Sequence, residues 1–346
     1  MAQLVELQLK DAADAGSIGI GEAGRLRRLL GMREFGILLA AAGLFAGLSV
    51  ARPDTFFTET NVLRVAQAIS LLTIIAVGMT FLFIAGELDL SVGTMYGLLC
   101  LTISKAMFVW DLHPLMAMAL TIAAGAGLGL VSGVITTFFK IPSFIVTLGM
   151  MSVFRGTMLI WTKAPPIASR EWKSEHAWFG DLMKAKAFGH VPAQIFWMVG
   201  VVLVAGWVLA KTKFGYQVYA TGSNEQAAAN AGINTRRVKI SCFMILGGLT
   251  GLAASVLVGW LGGISRTHGQ GYELDVIAAV VIGGTNLFGG VGSVFGTLLG
   301  AAIAGMITNG LVLLGAQQDT EPIAKGGVII LAVLLDVLIR RRQRIA

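Results

Sequence analysis

The chain has 346 residues, is 55% hydrophobic and only 13% charged, and has a mean hydropathy of +0.78. Soluble domains carry about 25% charged residues, so the composition excludes a soluble domain and identifies an integral membrane protein. The net charge of +7 gives no argument for nucleic acid: Lys and Arg cluster as RLRRLLGMRE near the start and RRRQR at the end, the kind of cluster that sets membrane orientation.

Residues 1–35 are polar and mixed, too long and too acidic for a simple signal-peptide n-region. AGRLRRLLGMRE within them suits a short amphipathic helix on the cytoplasmic surface. Apolar stretches of about 20 residues mark membrane spans. Ten are expected, over 36–52, 64–85, 91–110, 114–138, 143–162, 193–210, 240–262, 273–289, 293–315 and 322–339. With the N-terminus inside, fifteen Lys and Arg fall on inner segments and seven on outer ones, which puts both termini in the cytoplasm. Residues 163–192 then form an outer (periplasmic) loop and 211–239 a cytoplasmic loop. The expected fold is all-α, a polytopic transmembrane bundle with its permease-type domain over 36–342.

Glycine is abundant, at 45 residues. Gly125, Gly129 and Gly133 share one helical face, as do Gly93 and Gly97, Gly247 and Gly251, and Gly292, Gly296, Gly300 and Ala304; such stripes let helix backbones touch. Cys100 and Cys242 lie in apolar runs with neither disulfide nor metal spacing, and read as small buried side chains.

The second and third spans are joined by GELDLS. A carboxylate at the centre of a span costs about 2.5–3.5 kcal/mol on insertion scales. Two readings fit Glu87 and Asp89: a solvated inner loop, or a chain break inside the membrane whose unwound segment lines a polar cavity, the only place such backbone is tolerated. Asp89 or Ser91 suits an N-cap for a helix starting near Val92. Val92–Gly97 (VGTMYG) aligns with Val291–Gly296 (VGSVFG) at an offset of 199 residues, an internal repeat with a possible broken helix at each copy. Asn286, in GGTNLFGG, takes the place of the first copy's carboxylates. In transporters built from repeats the substrate site lies near the repeat interface.

Further polar groups lie in or beside spans. Arg155 pairs within the bundle or meets a polar solute. Lys105 and Lys325, nearer span ends, can snorkel. Glu273 and Asp275 open the eighth span from outside. Asn309 suits a cavity hydrogen bond or a bond between helices. The expected translocation path thus comprises Asp89, Ser91, Thr94, Arg155, Glu273, Asn286 and Asn309. In the cytoplasmic loop, EQAAANA at 225–231 has high helix propensity, Ser223 or Asn224 can begin that helix and Gly232 can end it. It suits docking into a groove on a partner, or an ordinary surface helix.

No P-loop, H-E-x-x-H or C-x-x-C occurs. His113, His176, His190 and His268 are scattered in or beside outer connections. The sequence offers no catalytic and no metal-binding set, which disfavours a membrane enzyme. An ion-driven secondary transporter with Glu87, Asp89 and Arg155 in a proton relay remains an alternative.

The stretches GELDLSVGT (86–94), IPSFIVTLGMMSVFRGT (141–157), GSNEQAAANAGI (222–233), GYELDVIAAVVIGGTNLFGGVGS (271–293) and NGLVLLG (309–315) carry a resemblance to the permease subunit of ribose-type monosaccharide ABC importers, over nearly all of 36–342. The resemblance implies an inner-membrane subunit that forms the path for a monosaccharide or related polyol. It implies three partners: a second permease copy, identical or paralogous, a periplasmic sugar-binding protein, and a cytoplasmic ATPase that uses the ATP. The chain itself then binds no cofactor and catalyses no reaction. Segment 222–233 resembles the family's coupling loop, so Gly222, Asn224, Glu225, Ala227, Ala228 and Gly232 are expected to couple it to the ATPase. Asp89 and Ser91 fall on the family's D-L-S motif. Many members have glycine where this chain has Glu87, and a small-residue pair where it reads Thr162-Lys163-Ala164; the second departure lies where a binding protein would dock.

Overall fold

The computed structural model describes residues 33–162, 167–168, 176–187, 189–265 and 267–315, with Ile323, Gly326, Gly327, Ile330 and Leu334 beyond them. Among these residues the fold is a helix bundle. Its long elements are α1 (Arg33–Ala51), α2 (Glu59–Ile84), α3 (Val92–Phe108), α4 (Pro114–Phe139), α5 (Ser143–Thr162), α7 (Ala193–Lys211), α10 (Thr235–Leu261) and α12 (Val294–Leu313). Shorter helices are α6 (Ala177–Lys184), α8 (Lys213–Ser223), α9 (Glu225–Asn230) and α11 (Tyr272–Ile282). Two antiparallel pairs of two-residue strands cover one end: β1 (Ile167–Ala168) with β4 (Gly263–Ile264), and β2 (Lys186–Ala187) with β3 (Val191–Pro192).

Among the described residues seven helices, α1, α2, α4, α5, α7, α10 and α12, are long and apolar enough to cross a membrane; α3 is apolar but shorter. The expected eighth span, 273–289, needs correction. Its helix stops at Ile282 after 11 residues, because Gly283-Gly284 and the turn beyond them break the run. Most of the expected tenth span at 322–339, the surface helix before residue 33, Lys325 and the basic cluster at 340–344 lie outside the described residues.

Helix ends fall on two faces. One gathers the start of α1, the junctions α2–α3, α4–α5 and α11–α12, and all of α8 and α9: Ser293 Oγ donates to Glu34 Oε1 at 3.2 Å, and Gly290 N–H to the Ile84 carbonyl at 2.9 Å. The opposite face holds the strand pairs and the contacts of Glu59 with His190 and Asp111 with His176.

α2 and α10 form the centre, with 83% and 72% of their apolar stretches buried, against 6% for α1. A helix this buried must be approached closely, and glycine permits it. A Cβ on Gly125 of α4 would lie 2.1 Å from the Gly247 carbonyl oxygen of α10, and one on Gly247 would lie 2.0 Å from that of Gly125. Gly129 meets the Phe243 carbonyl and Gly251 that of Thr121 in the same way. Gly296 and Gly300 of α12 likewise pack against the carbonyls of Gly283, just past α11, and of Ala279 within it. The stripe read from the sequence is thus a set of backbone crossings.

Polar pairs tie the centre together. Thr80 and Thr297 hydroxyls are 2.6 Å apart, and Asn61 and Asn309 exchange side-chain amide bonds of 3.1 and 2.9 Å. Interhelical hydrogen bonds in membrane proteins average about 0.6 kcal/mol and reach about 1.7. Asn61→Ala and Asn309→Ala are each expected to cost about that much in detergent unfolding, with the double variant little worse than either single one. Strictly additive losses would show that the two amides do not act as a pair.

Candidate functional site

The break between α2 and α3 follows from a single glycine. Gly86, at φ +82°, occupies the left-handed position that ends helices. Its N–H donates to the Phe83 carbonyl and the next, from Glu87, to Leu82. This is a Schellman motif. Gly284 ends α11 with the same pair of bonds, Gly284 N–H to Val281 and Thr285 N–H to Val280. Both copies of the repeat motif therefore lie beyond a helix closed by glycine.

Residues 87–91 then run without helical structure, and Asp89 is only 1% exposed. Backbone buried in an apolar bundle needs partners. Leu88 N–H donates to Ser143 Oγ and Leu90 N–H to Thr147 Oγ1, both at 3.1 Å. The spacing explains the fit: two extended residues advance about 6.6 Å and one helical turn about 5.4 Å, so alternate N–H groups meet hydroxyls one turn apart on α5. Asp89 Oδ1 accepts from Ser91 N–H at 2.7 Å and Ser91 Oγ at 2.6 Å. Ser91 is the N-cap residue of α3, but its hydroxyl is given to Asp89 and makes no cap bond. Thr94 Oγ1 donates to the Ser91 carbonyl at 2.9 Å.

Residues 267–271 fold back against the start of α3, where Gly93 and Gly97 leave room. Cβ atoms there would lie 2.5 Å from the Gly269 oxygen and 2.4 Å from the His268 oxygen. Glu273 thereby sits over Gly93, its Oε2 filling the space a Cβ would need. Asp89 Oδ2 and Glu273 Oε2 are buried and lack a hydrogen-bond partner among the described residues. Both flank the amino end of α3, whose dipole favours negative charge.

Beside this cluster a cavity of about 500 Å³ opens between α2, α10, α11 and α12. Tyr96 and Tyr272 stack there with centroids 5.2 Å apart, and His268 lies 5.2 Å from Tyr96. Trp260, Arg64, Asp275 and Asn309 also line it, together with aliphatic side chains such as Leu71, Leu72 and Leu257. Of the expected path residues, Asp89, Ser91, Thr94 and Glu273 gather at the start of α3, and Asn309 lines the cavity. Asn286 does not join them: its Nδ2 donates to the Gly289 carbonyl at 2.8 Å and its Oδ1 accepts from Phe288 N–H at 3.0 Å, which closes the α11–α12 turn. Arg155 is half-buried on α5, outside the cavity lining. The aromatic wall was missed in the sequence. Two of only four tyrosines falling near motif residues was the available signal.

On the opposite face, a groove of about 920 Å³ runs between α9 and the adjoining ends of α4, α5 and α10. Asn224 caps α9, its Oδ1 accepting from Ala227 N–H at 2.9 Å. Ala228 is buried and anchors the helix, whereas Glu225 and Ala227 are exposed. Gly232, at φ +85°, closes it. Gly222 has another role: a Cβ there would meet the Ile84 oxygen at 1.7 Å and Gly290 N at 2.8 Å. It packs α8 against both broken segments. Next to α1, burial and the Glu34 carboxylate push the Tyr219 phenol upward in pKa; its hydroxyl donates to the Gly292 carbonyl at 2.7 Å. Among the described residues no group of three or more His, Cys, Asp or Glu is placed to hold a metal ion.

Residues 61–334 match the family described as branched-chain amino acid transport system / permease component. The chain is 40% identical over 304 residues to ribose import permease protein RbsC of Escherichia coli (strain K12), covering 86% of this chain and 92% of that one. It is 35% identical over 312 residues to the L-arabinose ABC transporter permease protein AraH of Azospirillum brasilense, with 89% and 88% covered. It is 31% identical over 316 residues to the autoinducer 2 import system permease protein LsrC of Photorhabdus luminescens, with 91% and 93% covered. No solved structure matches.

Proposed function

The chain belongs to the permease-component family of branched-chain amino acid transport systems, and on that premise we infer that it is the membrane-spanning subunit of an ATP-driven importer of a monosaccharide or related polyol. It is a transport subunit and not an enzyme; ATP is hydrolysed on a separate cytoplasmic chain, and a periplasmic binding protein delivers the solute. Relatives named for ribose, arabinose and autoinducer 2 import support the solute class. The observation that carries the reading is the arrangement along the bundle axis: an aromatic-walled cavity on one side, the Asp89 segment beside it, and an exposed capped helix on the far face. Flat rings beside Asp275, His268 and Asn309 suit a small solute with apolar C–H faces and a polar rim.

The face carrying α8 and α9 is cytoplasmic in this reading, as are both termini. Residues 1–35 form a cytoplasmic segment, 36–342 the permease domain, 163–192 a periplasmic loop and 211–239 the coupling loop. The bundle has about ten spans, counting α3, the short α11 and the 322–339 segment. The α2–α3 and α11–α12 junctions are the two copies of the repeat, and a second permease copy completes the pore. Asp89, Ser91, Thr94 and Glu273 form a constriction, and Glu225 and Ala227 face the ATPase.

Glu225→Arg tests the docking assignment. It places a cation beside Lys239 and reverses the charge of the exposed helix, and is expected to lower co-purification of the ATPase severalfold, because charge complementarity across an interface is lost. Undiminished co-purification would remove α9 from the docking surface.

A further inference from the structure

Three inner elements meet at one ammonium group. Lys239, the fifth residue of α10, donates to Glu225 Oε2 at 2.8 Å and lies 2.7 Å from Glu87 Oε1. Glu225 is the first residue of α9 and its side chain is 54% exposed. Glu87 follows the glycine that closes α2 and stands two residues before Asp89; its side chain is 11% exposed and that of Lys239 12%. A solvent-facing carboxylate on one element is thus bonded, through one half-buried cation, to a half-buried carboxylate on another, all three lining the groove beside α9.

The position is electrostatically unusual. The amino end of a helix disfavours cations, and Arg236 and Arg237 already crowd the first turn of α10. Lys239 is held there by its two carboxylates. Glu87 has the matching need, since a largely shielded charge that loses its partner is poorly compensated by solvent. A displacement of α9 therefore cannot leave Lys239 unaffected. Either the Glu225 bond breaks and the ammonium turns wholly to Glu87, or Lys239 follows and pulls Glu87 with it. The first changes the charge pairing of Glu87, and the second moves the segment whose N–H groups are stapled to Ser143 and Thr147.

We propose that Lys239 is a positioning residue that couples α9 to the Asp89 segment, with Glu87 as its inner partner. This rests on α9 being the ATPase-docking helix. The test uses proteoliposomes holding permease, ATPase and binding protein, with whichever of radiolabelled D-ribose, L-arabinose or autoinducer 2 the wild type imports. The readout is solute imported per ATP hydrolysed. Coupling between sites is typically worth 5–150-fold, so Lys239→Met and Glu87→Gln are each expected to lower this ratio about fivefold or more, and Lys239→Arg, which keeps the charge, to lie closer to wild type. A purely static ion pair would lower thermal stability and leave the ratio unchanged, which would overturn the proposal. Glu87→Gln removes the charge at nearly constant volume and decides the matter if Lys239→Met does not fold. A wild-type complex that neither responds to binding protein nor imports any of the three solutes contradicts the transport reading itself; an unchanged ratio in a working complex contradicts only the role of Lys239.

Discussion

Gly247→Leu is expected to prevent assembly of the folded bundle. The new Cβ would sit 2.0 Å from the Gly125 carbonyl oxygen, 2.7 Å from its carbon and 3.3 Å from Ala126 N. All three are backbone atoms, so no side chain can rotate away. α4 and α10 would have to separate, and the crossings at Gly129–Phe243 and Gly251–Thr121 would open with them. Overpacking costs about 1–3 kcal/mol where side chains can yield; backbone against backbone at this crossing should exceed that. Gly127→Leu is the control. It lies on the same helix as Gly125, and a Cβ there meets nothing within 4 Å. The expected result is a monodisperse, wild-type-like melting profile for Gly127→Leu and little or no folded protein for Gly247→Leu. Similar melting of the two would mean that the α4–α10 crossing is wrongly placed.

Asp89→Ala is expected to abolish most uptake while the permease still assembles. The alanine leaves Ser91 N–H and Oγ without their shared acceptor in a buried site. Hydrogen bonds to a charged group are worth about 1.5–3 kcal/mol each. The bundle seams do not pass through Asp89, so the loss falls on the 87–91 segment and the start of α3, beneath Glu273. Uptake should drop about tenfold or more, since each 1.4 kcal/mol of misplacement is tenfold in a rate, with co-purification of the ATPase retained. Wild-type uptake would remove Asp89 from the translocation path.

These two variants separate what the sequence made legible from what it hid. The glycine crossings were readable, because a spacing of four reports one helix face whatever that face touches. The break after Ile84 was readable too, since Gly86 sits where the apolar run turns polar. The staples were not. Ser143 and Thr147 lie 55 and 57 positions from the N–H groups they accept, and nothing periodic links an extended segment to a distant helix. Asn286 was read as a path residue by analogy with Asp89, although an Asn among glycines is first a turn residue, and the turn takes its hydrogen bonds. The eighth span was drawn too long because hydropathy ran through Gly283-Gly284, a pair that punctuates helices. The cavity wall was invisible for a related reason: Tyr96 and Tyr272 meet only because residues 267–271 fold back onto Gly93 and Gly97.

The central claim is that this chain moves solute at the expense of ATP hydrolysed by a partner. The most direct measurement is uptake of labelled monosaccharide by proteoliposomes, with and without ATPase, binding protein and ATP, each in the presence of a protonophore. The account predicts uptake that requires all three additions and is indifferent to the protonophore. Uptake by the permease alone, abolished by the protonophore while ATP stays high, would contradict it and turn Glu87 and Asp89 into candidates for a proton relay.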